Sequence, residues 1–352
     1  MIFSEKQFNV NPPLFFNNEV VKRVTVHKHL GLMLSSTLDW SHQIHYVCLR
    51  ANRKLAVLRG IKYIQRRTLD LLYKITIRSV IDYALPVYWH TLKASEKNRL
   101  DQIQYRSGKL VLGASHYTSR EKVNVELGLE SIAMRADILG LSIFHKTLLG
   151  YQRPLISKCM PTLAPVQLHN TRTKMQFSRY PKGKVKYSNS YFVLFSQKYQ
   201  ALPLSIKKHR DIVEFKNALK LNYVPKRYKF LSRGDKKGNR LLTQIRLGRS
   251  YLNSHSFAIQ MSPSPECSCH FPDESPTHFF IDCFMWTEER RTMLGVFEHF
   301  IPAFSSFTKQ KKLNIILYGY DRDNDTLFNT NVSLQYAVQK FVVNTKRINQ
   351  QS

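Results

Sequence analysis

Acidic residues are scarce in this sequence. Its 352 residues include 24 aspartates and glutamates against 54 lysines and arginines, which gives a formal net charge of +30 at pH 7. A compact body with this charge repels itself unless a polyanion neutralises it. Nucleic acid is the polyanion that the composition favours, because neutralised phosphates release counterions and so drive binding. An anionic membrane surface is the alternative partner.

Long apolar runs are missing as well. No uninterrupted apolar stretch approaches the length of a membrane-spanning helix, so we expect no membrane partner. The first residues, MIFSEKQFNVNPPLFF, have neither the charged start nor the apolar core of a signal peptide. Hydrophobic residues nevertheless make up 43% of the chain, which is enough to predict folded domains rather than disorder.

Cysteine is limited to five residues, an odd number that argues against a disulfide framework. Cys267, Cys269 and Cys283 fall within one short stretch that also contains His278. Thiolates and imidazole suit zinc, and four protein ligands make a structural site. From the spacing alone, three reduced cysteines and a histidine in a helical core are an equally good interpretation. His270 is a substitute ligand. The cluster indicates a reducing compartment, so we predict an intracellular protein, and the nucleus is compatible with this composition.

Hydrophobic periodicity predicts a mainly α-helical protein with a small β region at its amino terminus. Residues 14–37 alternate as strands do, with turn signals at Asn17, Asn18 and Gly31. Apolar residues then recur at helical spacing. Helices are predicted over residues 40–58, 67–83, 96–112, 131–150, 211–223, 240–258, 284–299 and 331–346. Ser95 and Ser131 are predicted to precede two of these helices, and Pro86 to stop the helix over 67–83.

Basic residues concentrate in several regions. The predicted first helices carry Arg50, Arg53, Lys54, Arg59, Lys62, Arg66 and Arg67. Aromatic residues interleave with basic ones further on, at Arg172, Lys174, Arg179, Lys182, Lys184, Lys186, Lys226, Arg227, Lys229, Lys236 and Lys237. Basic groups can follow phosphates while rings stack on unpaired bases. A solvated helix face and a flexible basic linker are the alternatives. Arg246 and Arg249 precede the cysteine cluster, where they either grip nucleic acid or cap a helix.

Several short motifs follow one another along nearly the whole chain. They are KHLG (28–31), ANRKLAVLRG (51–60), LLYKITIRSVIDYALPVYW (71–89), LDQIQYRSGKLVLG (100–113), ELGLESIAMRADIL (126–139), ALPLSIKKHRDIVEFKNAL (201–219), IRLGRSYLNSHSF (245–257), CSCHFPDESPTHFFIDC (267–283), LYGYD (317–321) and KFVVNTKRI (340–348). Their order resembles the segment that follows the catalytic palm in reverse transcriptases of non-LTR (LINE-like, jockey-type) retrotransposons. His270 departs from that pattern, which usually has glycine after the second cysteine.

The resemblance implies four segments. Residues 1–37 are the β remnant at the end of the palm, 38–150 a helical thumb bundle, 151–232 a basic connector, and 233–352 a helical domain with a Cys-Cys-His-Cys zinc-knuckle-like motif. It also implies a structural zinc ion and RNA or DNA partners, namely a template–primer duplex and element RNA, with no small-molecule substrate.

Catalysis is not expected of this chain. The family's polymerase holds two metal ions with acidic residues of two palm motifs, and the resemblance places both motifs before residue 1. Residues 320–325 combine a tyrosine with aspartates, but they are polar throughout and predict a loop. We therefore expect a nucleic-acid-binding fragment of an RNA-directed DNA polymerase that is inactive alone. An exapted zinc-containing adaptor and a decayed transposon reading frame without selected function are the alternatives.

Overall fold

The chain, seen in a computed structural model, is mainly α-helical, as the periodicity predicts. The structure describes residues 1, 13–115, 117–151, 188–223 and 228–347. Two compact units share these residues: unit 1 takes 1–56, 76–104 and 130–225, and unit 2 takes 57–75, 105–129 and 226–352. The predicted thumb segment 38–150 therefore contributes to both units.

The β region consists of two small hairpins. The strands are β1 (Phe15–Phe16), β2 (Glu19–Val20), β3 (Val26–His29) and β4 (Leu32–Ser35), with β1 paired to β2 and β3 to β4, both antiparallel. Both hairpins turn through two residues with positive φ: 51° and 64° at Asn17 and Asn18, and 45° and 82° at Leu30 and Gly31. Tight hairpin turns need this conformation, which asparagine and glycine adopt most readily. The predicted strands and turn residues are confirmed here.

Helices account for most of the rest. In chain order they are α1 (Ser41–Gly60), α2 (Arg66–Leu72), α3 (Ser79–Asp82), α4 (Leu85–Tyr88), α5 (Ala94–Leu112), α6 (Arg120–Leu127), α7 (Ile132–Leu148), α8 (Tyr191–Ala201), α9 (Leu204–Lys207), α10 (Ile212–Tyr223), α11 (Lys236–Arg246), α12 (Asn253–Phe257), α13 (Thr287–Phe300), α14 (Lys309–Tyr318) and α15 (Phe328–Asn344). Among the described residues, none of these helices has both the length and the apolar character needed to cross a membrane.

Local sequence signals explain several helix ends. Ser131 caps α7 by accepting a hydrogen bond from the Met134 N–H at 3.2 Å, as predicted. Ser95, in contrast, lies inside the first turn of α5, which starts at Ala94, two residues before the predicted start at Glu96. The helix before Pro86 ends at Asp82, close to the predicted end at Tyr83. Pro86 itself sits in the first turn of α4, where its missing N–H costs nothing. The helix predicted over 67–83 is interrupted by a π-helical segment, Tyr73–Arg78.

Unit 1 has a core in which α7 packs against α8 and α10. Phe195 of α8 lies so close to Gly140 of α7 that an added Cβ would come within 2.0 Å of its ring. His145 is buried in the same core. Its Nδ1 is 2.8 Å from the Tyr199 hydroxyl, and its ring stacks on Phe215 at 3.9 Å between centroids. Burial lowers the pKa of His145 and favours its neutral form.

Unit 2 has a larger core in which α15 packs against both α11 and α13. Asn331 of α15 hydrogen-bonds the backbone N–H and carbonyl of Tyr320 at 2.7 and 2.8 Å. These bonds fix the start of the stretch 320–325, which forms a loop between α14 and a short 3₁₀ turn, Asp325–Leu327. The predicted loop is confirmed. Phe279 and Phe280, which follow His278 in the cysteine-rich stretch, belong to this core.

Candidate metal centre and basic cavity

Four predicted ligands come together in unit 2. Cys267 and Cys269 lie on a loop after α12, and His278 and Cys283 lie at either end of the π-helical turn His278–Asp282. Their ligand atoms all lie within 4.8 Å of one another, so the four side chains could hold a metal ion. The Cys267 and Cys283 sulfurs are 3.8 Å apart, and the Cys269 sulfur is 3.1 Å from His278 Nε2.

These distances can be compared with a tetrahedral zinc site. Zinc–sulfur bonds of about 2.3 Å at the tetrahedral angle put two thiolates about 3.8 Å apart. The separation of the Cys267 and Cys283 sulfurs agrees with that value. The Cys269 sulfur and His278 Nε2, at 3.1 Å, are closer together than two ligand atoms of such a site. The predicted convergence of the four ligands is confirmed.

Short backbone contacts shape the loop that carries the first two cysteines. The Cys267 N–H donates to the Phe271 carbonyl at 2.9 Å, and the His270 N–H donates to the Cys267 carbonyl at 2.8 Å. His270 has a φ of 65°, a conformation that glycine adopts at little cost.

His270 is not a ligand, and its prediction as a substitute was wrong. Its side chain is 91% exposed and lies 3.4 Å from Glu266. The turn at its positive φ directs the imidazole to solvent, outside the four-residue cluster. His278 therefore supplies the imidazole.

Aromatic packing holds His278 in place. The Phe271 ring stacks on the His278 ring with 4.3 Å between centroids and 4° between planes. On the inner side, Phe279 and Phe280 are fully buried and both contact Phe341 of α15. The apolar run after His278 thus packs behind the ligands, as predicted, and ties the cluster to the core of unit 2.

The environment of the thiols and the imidazole bears on metal binding. Burial raises the pKa of Cys267 to about 12 and also raises the pKa of Cys283. Burial acts the same way on Cys269, but the Phe271 backbone N–H and the neighbouring thiols outweigh it, so its pKa is lowered. Burial lowers the pKa of His278 and keeps the imidazole neutral, as a ligand must be.

A buried carboxylate, Glu274, lies beside the cluster, and no sequence motif predicts it there. Glu274 is 1% exposed, its Oε1 is 3.8 Å from the Cys267 sulfur, and its Oε2 accepts from the Asn253 N–H at 2.7 Å. Arg347 donates to Glu274 Oε1 at 2.7 Å. Glu274 and Arg347 are 73 residues apart, so no local motif could pair them.

Unit 2 also contains a half-open cavity of about 460 Å³ rich in basic residues. Its wall is formed by the ends of α1 and α5, the turn before α2 and the start of α11. The lining residues are Arg59, Lys62, Tyr63, Ile64, Arg66, Leu69, Arg106, Lys109, Leu110, Val111, Leu112, Gly113, Ala114, Lys236 and Arg240. None of these lining residues, all within the described ranges, is acidic.

Six cations of this cavity have no ionic partner. They are Arg59, Lys62, Arg106, Lys109, Lys236 and Arg240, and no ion pair involves any of them within the part of the chain that the structure describes. Burial first, and then the charges of Arg240 and Lys62, lower the pKa of Lys236. Like charges therefore lie close enough in this cavity to disfavour the charged form of Lys236.

Arg66 and Arg246 take a different role from the one predicted. Both guanidinium groups bind the carboxylate of Glu126 on α6, Arg66 at 3.2 Å and Arg246 at 2.6 Å, with side-chain exposures of 7%, 1% and 8% for Arg66, Arg246 and Glu126. Thr243 accepts from both arginines at 2.9 and 3.0 Å. A phosphate could reach either arginine only by breaking this buried ion pair.

The other predicted basic residues are spread over both units. In unit 1, Lys54 donates to the Thr76 carbonyl at 2.9 Å, Arg50 lies over the Tyr46 ring, and Arg53 is exposed. In unit 2, Arg249 donates to the Gly248 carbonyl at 3.0 Å. Three further predicted basic residues of unit 2, Arg67, Lys229 and Lys237, are exposed and lie outside the cavity lining. Arg172, Lys174, Arg179, Lys182, Lys184, Lys186, Lys226 and Arg227 lie outside the described residues.

Residues of the cavity that sequence reasoning missed include Tyr63, Arg106 and Lys109. Arg106 and Lys109 are one helical turn apart on α5, so they share a face. Their spacing can be read from the sequence, but the packing of α5 against the end of α1, which forms the cavity, cannot.

Comparison of the chain with protein-family models, with curated proteins and with solved structures gave no match.

Proposed function

We propose that this chain binds nucleic acid through unit 2, and that the basic cavity is part of its binding surface. The observation that carries the proposal is the set of six unpaired cations around one cavity without an acidic lining residue, among those described. Backbone phosphates of a nucleic acid suit such a site, because neutralising them releases their condensed counterions. Surface charge runs elsewhere can be solvated, but a concave site concentrates positive potential.

We further propose that Cys267, Cys269, His278 and Cys283 hold a structural zinc ion. Four nitrogen and sulfur ligands that converge within 4.8 Å support this, since they leave no ligand position open for catalysis. The buried aromatic residues behind them would make the ion part of the core of unit 2, and metal binding would contribute to its folding.

The order of short motifs supports an origin in the carboxy-terminal part of a non-LTR retrotransposon reverse transcriptase. On this proposal the chain binds RNA or DNA as thumb and zinc-knuckle regions do, and it does not add nucleotides by itself. The aspartates of residues 320–325 do not suggest otherwise: Asp323 accepts from the Tyr228 hydroxyl at 3.2 Å, and Asp325 begins a 3₁₀ turn.

Salt dependence of binding tests the proposed function. If the six cavity cations each neutralise one phosphate, log affinity should fall against log salt with a slope of about −4 for a single strand or about −5 for a duplex. Lys62→Gln should weaken binding to all sequences alike and reduce the slope by about 1. Lys340→Gln, an exposed lysine on α15 outside the cavity, is the matched control. A flat slope, or no binding at low salt, would remove the basis of the proposal.

A further inference from the structure

Charge alone does not account for the shape and lining of the basic cavity. A phosphate group needs only a few donors, whereas this cavity has a volume of about 460 Å³ and is lined in part by Leu69, Leu110, Val111 and Leu112. Pockets for small organic groups typically measure about 300–1,000 Å³ and combine apolar walls with a few polar groups. The cavity therefore fits a ligand that joins an anionic part to a flat part able to lie against apolar walls, such as a nucleotide.

Tyr63 gives the cavity an exposed aromatic ring. Its side chain is 75% exposed, and no other aromatic ring packs on it among the described residues. The ammonium groups of Lys62 and Lys236 each lie 5.2 Å from the ring centroid. Lys62 carries its ammonium group on a flexible stem, so a flat ligand can displace that group from the ring. The displaced ammonium group then remains close enough to pair with that ligand's phosphate.

The turn that presents Tyr63 is anchored rather than free. Lys236 of α11 donates to the Lys62 carbonyl at 2.7 Å, and within the turn the Lys62 N–H donates to the Arg59 carbonyl and the Ile64 N–H to the Ile61 carbonyl. The backbone that carries the ring is therefore held at the cavity before any ligand binds, which lowers the entropy cost of binding.

We propose that the cavity takes one unpaired nucleotide of a single-stranded nucleic acid. Its base stacks on Tyr63, and its phosphates pair with Lys62, Lys236 and Arg240. This inference rests on the proposed function, because it assigns a strand preference to the same cavity. A base within a duplex has both faces covered by its neighbours, so only an unpaired base can stack on a protein ring. Ring stacking tolerates any base, and sequence preference should therefore be slight.

The test compares a labelled oligo(U) strand with a labelled hairpin duplex of equal length by fluorescence anisotropy. The full chain is used, with Tyr63→Ala, Tyr63→Phe and, as a matched control, Tyr336→Ala, a half-exposed tyrosine on α15 outside the cavity. We expect Tyr63→Ala to weaken binding of the single strand about 5- to 150-fold. Tyr63→Phe and Tyr336→Ala should bind it like the parent chain, and affinity for the duplex should not change.

The outcomes separate this inference from the proposed function. If the parent chain binds neither probe at low salt, the proposed function fails and the inference with it. The inference alone fails if the parent chain binds both probes with a steep salt dependence and Tyr63→Ala binds the single strand normally. It also fails alone if Tyr63→Ala weakens binding of both probes equally. Far-UV circular dichroism confirms that each variant is folded, which we expect since the Tyr63 side chain is largely outside the core.

Discussion

The two arginines that clamp Glu126 predict a large loss of stability when this carboxylate is neutralised. Glu126→Gln preserves the shape of the side chain but removes its charge, leaving the guanidinium groups of Arg66 and Arg246 buried beside a neutral amide. Removing one partner of a buried ion pair typically costs about 3–5 kcal/mol. For a unit of this size that corresponds to a fall in melting temperature of roughly 6–20 °C.

The expected loss also depends on pH. Burial disfavours the charged form of Glu126, but Arg246 and then Arg66 outweigh it, so the pKa lies below its ordinary value of 4.5. A lowered folded-state pKa stabilises the fold above the unfolded-state pKa, and the contribution is lost as pH falls through the folded-state pKa. The difference in unfolding free energy between the parent chain and Glu126→Gln should therefore be greatest at pH 7 and shrink as pH falls below about 4.5.

Urea unfolding followed by circular dichroism at several pH values measures this effect. Glu288→Gln is the control, because Glu288 pairs with Arg291 at 2.8 Å but both side chains are more than 70% exposed. Exposed pairs of this kind contribute about 0–1 kcal/mol, so this variant should resemble the parent chain. Equal stabilities of Glu126→Gln and Glu288→Gln at pH 7 would refute the clamp.

Two further predictions concern the metal site and the core of unit 1. Purified protein should carry about one zinc ion by elemental analysis. Cys283→Ser should release it and unfold the surrounding turn, whereas His270→Ala should retain it; retention by both would contradict the proposed ligand set. Gly140→Ala should destabilise the chain by about 1–3 kcal/mol in thermal unfolding, since its methyl group would overlap the Phe195 ring. Gly295→Ala, on an open face of α13, should instead stabilise it by about 0.5–1 kcal/mol, and the opposite ranking would show that the core around Gly140 is not close-packed.

Local patterns predicted the fold where one stretch of chain decides its own structure. The two hairpins, the cap at Ser131 and the convergence of the four metal ligands all follow from residues close together in sequence. Helix α14 escaped prediction because its buried residues are nearly contiguous, from Leu313 to Leu317, and a contiguous apolar run does not show helical spacing.

Distant partners explain most of what the sequence could not predict. Arg66 and Arg246 look like members of basic runs until Glu126, 60 and 120 residues away, is seen between them. Glu274 and Arg347 are hidden for the same reason. A charged residue in a sequence carries no mark of whether its partner is water, phosphate or a buried carboxylate, so surface and core cations could not be separated in advance.

The interleaving of the two units has a consequence for synthesis on the ribosome. Arg66 bonds Thr243, which follows it by 177 residues, so unit 2 cannot close until its last stretch has been made. At about 5–20 residues per second, that delay is roughly 9–35 s, during which the first two stretches of unit 2 have no third stretch to pack against. No single cut in the chain yields either unit whole, because each unit is assembled from three separated stretches. Nascent chains of this protein should therefore depend on chaperones more than a contiguous domain of equal size.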